Sequence, residues 1–369
     1  METNGNLNAG TQTEAPKISA PIDLQKRGIC VTSPPTGKPI KITGDKPEEF
    51  LPHLRDSTLT WINFSVDDIK HDAEYISTLF GFSSSMIQPL LSAYNSGYED
   101  SETELGIKIP AIRVKKFEVK VYPLLILIRQ GLVLTIHETE IIRLIRFSRY
   151  ADTFMRKIKP DTLWQDKQTI LLNRIIDENN SANFDHLRQI EEQGDELSKF
   201  LVDPQMPRAA IGTEIYNMKH ALITYLDALW ATIDVLNSLR YGDAEMISDN
   251  QKILARTGVL AEDVNTQISL SEHMSEVLAS GLEVLQSIYN NQLQILNNKM
   301  AMVVAYLTII GTAVLVPNTI ATAMGSAAFN LGPEDMWWYI LLLIGSTVVA
   351  TILAYIWVKK AGWLPKRPD

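Results

Sequence analysis

One cysteine, Cys30, is all the thiol chemistry in a sequence of 369 residues. That excludes an internal disulfide framework and fits a reducing compartment. Blocks of lysine and arginine are equally missing and the formal net charge is -9, which argues against nucleic acid, whose phosphates demand clustered basic side chains. No G-x-S-x-G, G-x-x-x-x-G-K-[ST] or H-E-x-x-H motif occurs, and His53, His71, His137, His186, His220 and His273 are scattered. The chain is therefore read as a non-enzyme with no cofactor. The opening residues, METNGNLNAGTQTEAPKISAP, lack an apolar h-region. No cleavable signal peptide is expected, and the large first part is expected to stay in the cytoplasm.

The most telling absence is of charge. No charged side chain lies between Lys299 and Glu334, nor between Asp335 and Lys359. Either gap holds enough apolar residues to cross a hydrocarbon core of about 30 Å, which takes roughly 20 helical residues. Two C-terminal spans are predicted, over 301–325 and 337–358, joined by an external loop at 326–336. Lys299 precedes the first span, and Lys359, Lys360, Lys366 and Arg367 follow the second, within a basic tail at 359–369. Positive charge on those sides puts both termini in the cytoplasm of a cell or inner membrane. Trp337, Trp338, Trp357 and Trp363 fall at the ends of the second span, where interfacial belts form.

Ahead of the spans, residues 1–27 read as a disordered tail. From 28 to 140 the period is mixed, and an α/β domain is predicted. LTWINFSV (59–66) is β-branched and aromatic, as strands require, and the stretch from Ser65 to Asp68 caps a helix carrying Ile69, Ala73, Ile76 and Phe80. AIRVKKFEVKVYPLLILI and GLVLTIHE (131–138) are further strand candidates. Residues 141–300 read as helical: one stretch opening at Pro160 and Asp161, a break at DPQMP (203–207), a helix from about 209 to 240, a turn at YGD (241–243), and then one helix from Asp243 to about Gly325. Some 80 residues at 1.5 Å each make that stalk about 120 Å long. Its apolar stripe must pack on other helices or on copies of itself.

This order of parts, with NNKMAMVVAYLTIIGT (297–312) entering the first span, VKKAGWL (358–364) leaving the second, and TWINF and GLVLTIHE in the first domain, resembles the CorA family of divalent-cation channels. The resemblance covers roughly residues 40–365. It implies a funnel-shaped homopentamer in a lipid bilayer that moves metal cations, Mg²⁺ first, with Co²⁺, Ni²⁺ or Zn²⁺ as further substrates. It also implies closure of the channel by Mg²⁺ bound at carboxylates between subunits; Asp177, Glu178, Glu191, Glu192, Asp195, Glu196, Asp243, Glu245 and Asp249 are acids of the helical region, and no specific pair is assigned. One departure stands out. The family ends its first span in Gly-Met-Asn, and an ungapped continuation from LTII puts Gly325, Ser326 and Ala327 there. Altered selectivity, for a monovalent ion or an anion, and a non-conducting membrane scaffold are the alternatives this leaves open.

Helical geometry supplies a candidate pore face in the first span. Val304, Leu307, Gly311, Leu315, Asn318, Thr322 and Gly325 recur at three- and four-residue steps and share one side, with Ser326 just beyond. Ala305, Ile309, Thr312, Val316 and Ile320 are assigned to the opposite side. An amide in hydrocarbon needs partners, so Asn318 reads as one member of a ring around a watery axis, or as a bond to a neighbouring helix or to backbone near Pro317. Thr322 has the same two readings, Gly311 and Gly325 permit close approach, and Val304, Leu307 and Leu315 would form a hydrophobic constriction. Glu334 and Asp335 in the external loop would attract cations through their summed potential.

Overall fold

The computed structural model describes residues 27–202, 208–241, 244–326 and 332–360. The tail at 1–26, DPQMP, Asp243, Ala327, the centre of the connecting loop and the basic tail beyond Lys360 lie outside them. The chain splits into two units after Leu278.

The first unit is built on a seven-stranded sheet of order β2-β1-β3-β7-β6-β5-β4. Its strands are β1 (Gly28–Ser33), β2 (Ile40–Gly44), β3 (Leu59–Val66), β4 (Gly97–Asp100), β5 (Glu104–Lys115), β6 (Glu118–Arg129) and β7 (Leu132–Glu138). Only β3 and β7 pair in parallel, with Ile62 opposite Leu134. Every residue of β3 is buried; a central strand covered on both faces shows no alternation of buried and exposed positions, and Thr60, Asn63 and Ser65 are buried along with its apolar residues. Helices α1 (Ile69–Leu79) and α2 (Ser84–Ser92) cover one face, placing Ala73, Ile76, Ile87 and Leu90 against Ile62, Leu125 and Leu134. Asp68 caps α1 by accepting the Lys70 N–H at 2.9 Å.

The stretch AIRVKKFEVKVYPLLILI does not form one strand. It folds back at Lys116 and Phe117, so that Lys115 faces Glu118 across a β5–β6 hairpin. Lys116 takes φ 57° at that turn, where two-residue hairpin loops require positive φ. The β6–β7 turn does the same with Gly131 at φ 77°, a conformation glycine adopts without steric cost. Because β7 reaches only as far as Leu124 on β6, and β4 pairs only Leu105–Lys108 on β5, the end of the hairpin is a two-stranded ribbon.

Polar side chains sit inside this core. His137 is fully buried; its Nδ1 lies 2.7 Å from the Glu138 carbonyl and its Nε2 3.1 Å from the Asn63 side-chain amide. Thr135 Oγ1 is 2.8 Å from the same amide and accepts the Trp61 indole N–H at 3.1 Å. Burial pushes the His137 pKa down to about 4, because the charged ring would lose its hydration there. Cys30 is likewise buried, and its thiol is pushed up to about 12 by desolvation.

Helical segments follow: α3 (Ile142–Phe147), α4 (Ala151–Met155), α5 (Trp164–Asn180), α6 (Asn183–Val202), α7 (Arg208–Arg240) and α8 (Gln251–Met324). Where the sequence suggests one helix from Pro160, the structure has two, α5 and α6, parted around Ser181. Where it suggests a stalk helix from Asp243, α8 begins at Gln251. The Ser248 hydroxyl donates to Asp166, the Ser248 N–H donates to Thr169 Oγ1 at 2.9 Å, and Asn250 Oδ1 accepts the Lys252 N–H at 3.1 Å. Those bonds hold residues 248–250 out of helical geometry and make Asn250 the cap. Further along, Asn173 pairs with Thr257 at 2.9 Å and Asn183 with Gln267 at 3.0 Å, joining α5 and α6 to the start of α8.

The second unit holds the rest of α8, a short 3-10 turn at Pro333–Asp335, and α9 (Met336–Lys360). Among the described residues two helices, α8 and the Pro333–Lys360 segment, have windows long and apolar enough to cross a membrane, and only 17% and 6% of those windows is buried. Side chains this apolar and this uncovered fit a hydrocarbon solvent.

Candidate functional site

An α-helix turns about 100° per residue, so the exposure of each residue in 301–326 can be read as a direction. Met302, Ala305, Ile309, Ala313, Val316 and Ile320 are buried or half-buried and share an arc of roughly 80°, with half-buried Pro317, Ala321 and Met324 on one flank and Thr308 on the other. On α9 the buried residues are Ala350, Ala354 and Val358, at four-residue steps. Small side chains at such steps let helix backbones approach closely, and Ala305 and Ala354 are both nearly sealed. The A-x-x-x-A spacing at 350–354 is visible in the sequence but carries no polarity to single it out.

Val304, Leu307, Leu315, Asn318, Thr322, Gly325 and Ser326 are all exposed, and Gly311 is half-buried. Their arc is centred roughly opposite the covered one. Among the described residues, this face is therefore left largely uncovered. Thr312, expected on the covered side, is exposed, since its angle falls between the two arcs. The exposed surface divides chemically. Val303, Tyr306, Ile310 and Val314 form one flank with little polarity, while Asn318, Thr322, Thr312 and Thr319 fall on the other side.

The threonines share a hydrogen-bond habit. Thr308, Thr312, Thr319 and Thr322 each donate their hydroxyl proton to the carbonyl four residues earlier, at 2.7 to 2.8 Å. A hydroxyl with its only proton spent in this way turns lone pairs outward. Thr322 thus satisfies the carbonyl of Asn318; Thr347 and Thr351 of α9 make the same bond to the carbonyls of Leu343 and Thr347. Pro317 has no N–H to offer the Ala313 carbonyl one turn earlier. Ser326 donates to the Ala323 carbonyl at 2.7 Å as the helix ends.

At the start of α9 the two acids differ. Asp335 accepts the Gly332 N–H at 3.1 Å and the Trp338 indole N–H at 3.1 Å, which makes it a cap of the second apolar helix. Glu334 is exposed. Trp337 is 82% and Trp357 58% exposed, as rings at an interface would be in the absence of lipid. Trp363 lies outside the described residues.

Among the described residues, no group of three or more His, Cys, Asp or Glu side chains is close enough to hold a metal ion. Of the acids of the first unit, Asp177 and Glu178 both engage Arg174, and burial raises the pKa of Asp177 against the lowering pull of that guanidinium. Glu192 pairs with Arg188 at 3.1 Å and Glu196 accepts from Gln193. Glu245 and Asp249 line a polar hollow with Asp166, and the charge on Glu245 adds to desolvation in raising the pKa of Asp100. Arg174 itself lies about 6 Å from the rings of Phe147, Tyr150 and Phe154.

A sequence profile of the family described as "CorA-like Mg2+ transporter protein" matches residues 56–360. No curated protein matches the chain significantly. Among solved structures, the complete CorA magnesium transporter from Methanocaldococcus jannaschii aligns at a TM-score of 0.68 with 21% identity, covering 91% of this chain and 98% of that one. The full-length CmaX protein aligns at 0.57 with 13% identity, covering 90% and 98%. The ZntB cytoplasmic domain from Vibrio parahaemolyticus aligns at 0.55 with 13% identity, covering 72% and 99%. What is shared with the two full-length proteins is the fold, an α/β soluble domain, a long helix and two C-terminal apolar helices; the ZntB cytoplasmic domain shares the soluble part.

Proposed function

We propose, from the premise that this chain belongs to the CorA-like Mg2+ transporter family, that it moves divalent metal cations, Mg²⁺ first, across a membrane through a pore shared by several copies. Five copies is the number the family resemblance implies, and both termini would lie in the cytoplasm of a cell or inner membrane. One observation carries the reading: the face of α8 bearing Asn318 and Thr322 is uncovered and lies opposite the seam with the rest of the unit. An amide facing lipid would cost free energy that neighbouring copies around a watery axis remove.

The hydroxyls favour a cation. Water bound to a cation points its hydrogens outward, and outward lone pairs on Thr312, Thr319 and Thr322 accept them; a hydrated anion would meet no donor from these groups. Val304, Leu307 and Leu315, exposed and apolar on the Lys299 side of Asn318, would form the dewetting constriction. Gly311, Gly325 and Ser326 complete the lining, and Glu334 sits at the external mouth. Mg²⁺ is substrate here and regulatory ion at carboxylates between copies. Altered selectivity is favoured by a single fact, the Gly325-Ser326-Ala327 sequence where the family places Gly-Met-Asn.

Flux of Mg²⁺, Zn²⁺, Na⁺ and Cl⁻ into vesicles carrying the purified chain tests both readings. Asn318→Ala is expected to lower divalent flux by tenfold or more, the equivalent of about 1.4 kcal/mol. Unchanged flux and selectivity in Asn318→Ala and Asn318→Leu would remove Asn318 from the pore.

A further inference from the structure

Two faces of the first unit carry opposite net charge; on the ribbon, Arg113, Lys115 and Lys120 outnumber Glu118, which pairs with Lys120 at 2.9 Å. The ribbon formed by β5 and β6 alternates: Ile112 and Val114 are half-buried, while Arg113 and Lys115 are exposed on its outer side. Neither basic residue has a carboxylate within ion-pair distance among the described residues. The second face is a stripe along α7. That helix buries Ile215, Leu222, Tyr225, Leu229 and Leu236, and leaves Ile223 47% and Trp230 49% exposed with Asp227 and Asp234 between and beyond them. These two aspartates also lack an ion-pair partner among the described residues.

The stripe and the ribbon have spacings a few ångström apart. Asp227 and Asp234 are two turns apart, about 10.5 Å along the axis, with Trp230 near the midpoint. Arg113 and Lys115, alternate residues of one strand, stand about 7 Å apart, and their long side chains span the difference. A guanidinium or ammonium lying over an indole face with a carboxylate on either side gains cation–π and charge attraction together. Ile223 and Trp230, one heptad apart on this face, set apolar surface beside the two aspartates.

We propose that the outer face of the β5–β6 ribbon of one copy docks on the Ile223–Trp230 stripe of α7 in the next copy. This rests on the homo-oligomer proposed above. A ring of more than two copies needs two different, complementary patches on each subunit, since a self-complementary patch closes at two. The ribbon supplies the basic patch, and α7 supplies the acidic, apolar one.

The test uses the full chain in detergent. Lys115→Cys and Ile223→Cys, combined in one chain, are treated with a short bismaleimide; Cys30 stays silent because it is buried with its thiol pushed up to about 12. The double variant is expected to give a ladder of covalent multimers on a denaturing gel, and each single variant none. A double variant with multimeric native mass but no ladder overturns the contact while leaving the oligomer standing; monomeric native mass overturns the oligomer itself. A ladder from either single variant overturns the head-to-tail arrangement. As a second arm, Arg113→Glu with Lys115→Glu is expected to lower the multimer fraction several-fold, and Asp227→Lys with Asp234→Lys to restore it. Absence of restoration in a chain whose unfolding temperature is unchanged counts against the proposal.

Discussion

Acid should loosen the first unit through a single side chain. His137 donates from Nδ1 to the Glu138 carbonyl, and its unprotonated Nε2 lies 3.1 Å from Asn63 Oδ1. Protonation would put a hydrogen on Nε2 and a charge in a fully buried site. Folded, the ring resists protonation until the pH reaches about 4, against an ordinary value of 6.5. The unfolded chain takes up this proton below pH 6.5 and the folded chain does not, so stability present above pH 6.5 is lost as the pH falls toward 4. At 1.36 kcal/mol per pKa unit the loss amounts to about 3 kcal/mol. Carboxylates titrate in the same range, so the effect is isolated by comparison with His137→Gln, which is neutral throughout. Urea unfolding followed by the fluorescence of buried Trp61 at pH 7 and pH 4.5 is the assay. The wild type is expected to lose about 2 kcal/mol more than the variant between those pH values. Equal losses would refute the reasoning, and a larger loss in the variant would reverse its sign.

Other expectations follow from individual contacts. Asp335→Ala removes the acceptor of the Gly332 and Trp338 N–H groups and should cost about 1 kcal/mol in detergent unfolding, with ion selectivity unchanged; a fall in selectivity would reassign it from cap to mouth. Glu334→Gln should leave stability alone and lower divalent flux at low ionic strength more than at high, because its potential is screened by salt. Ala354→Leu overfills a nearly sealed position and should destabilise the second unit by about 1 to 3 kcal/mol, read as a lower unfolding temperature; an unchanged temperature would mean the position is open. Resistance of the first unit to protease should rise as Mg²⁺ is raised from micromolar to millimolar, and a flat digestion rate would argue against regulation by the transported ion.

Much of the architecture is legible in local pattern. The two charge gaps mark the apolar helices, LTWINFSV marks the central strand, and three- and four-residue steps from Val304 pick out the face that the structure leaves uncovered. The hairpin turn at Lys116 was not legible, because Lys-Lys-Phe-Glu has none of the glycine or asparagine that usually signals positive φ. Nor was the late start of α8. Ser248 and Asn250 are ordinary helix-compatible residues until Asp166 and Thr169, some 80 residues away in sequence, capture their polar groups. Of the two adjacent carboxylates, only the fold tells which one is a cap.

The amino-acid order alone settled where apolar surface and polar stripes would lie along each helix, since burial pattern and helical phase are properties of neighbours in the chain. Which stripe the chain covers itself, which acid is spent on a backbone N–H, and which histidine loses its water were decided by tertiary structure. Those outcomes depend on partners brought from distant positions and on the solvent they displace, and neither is written in any short stretch of residues.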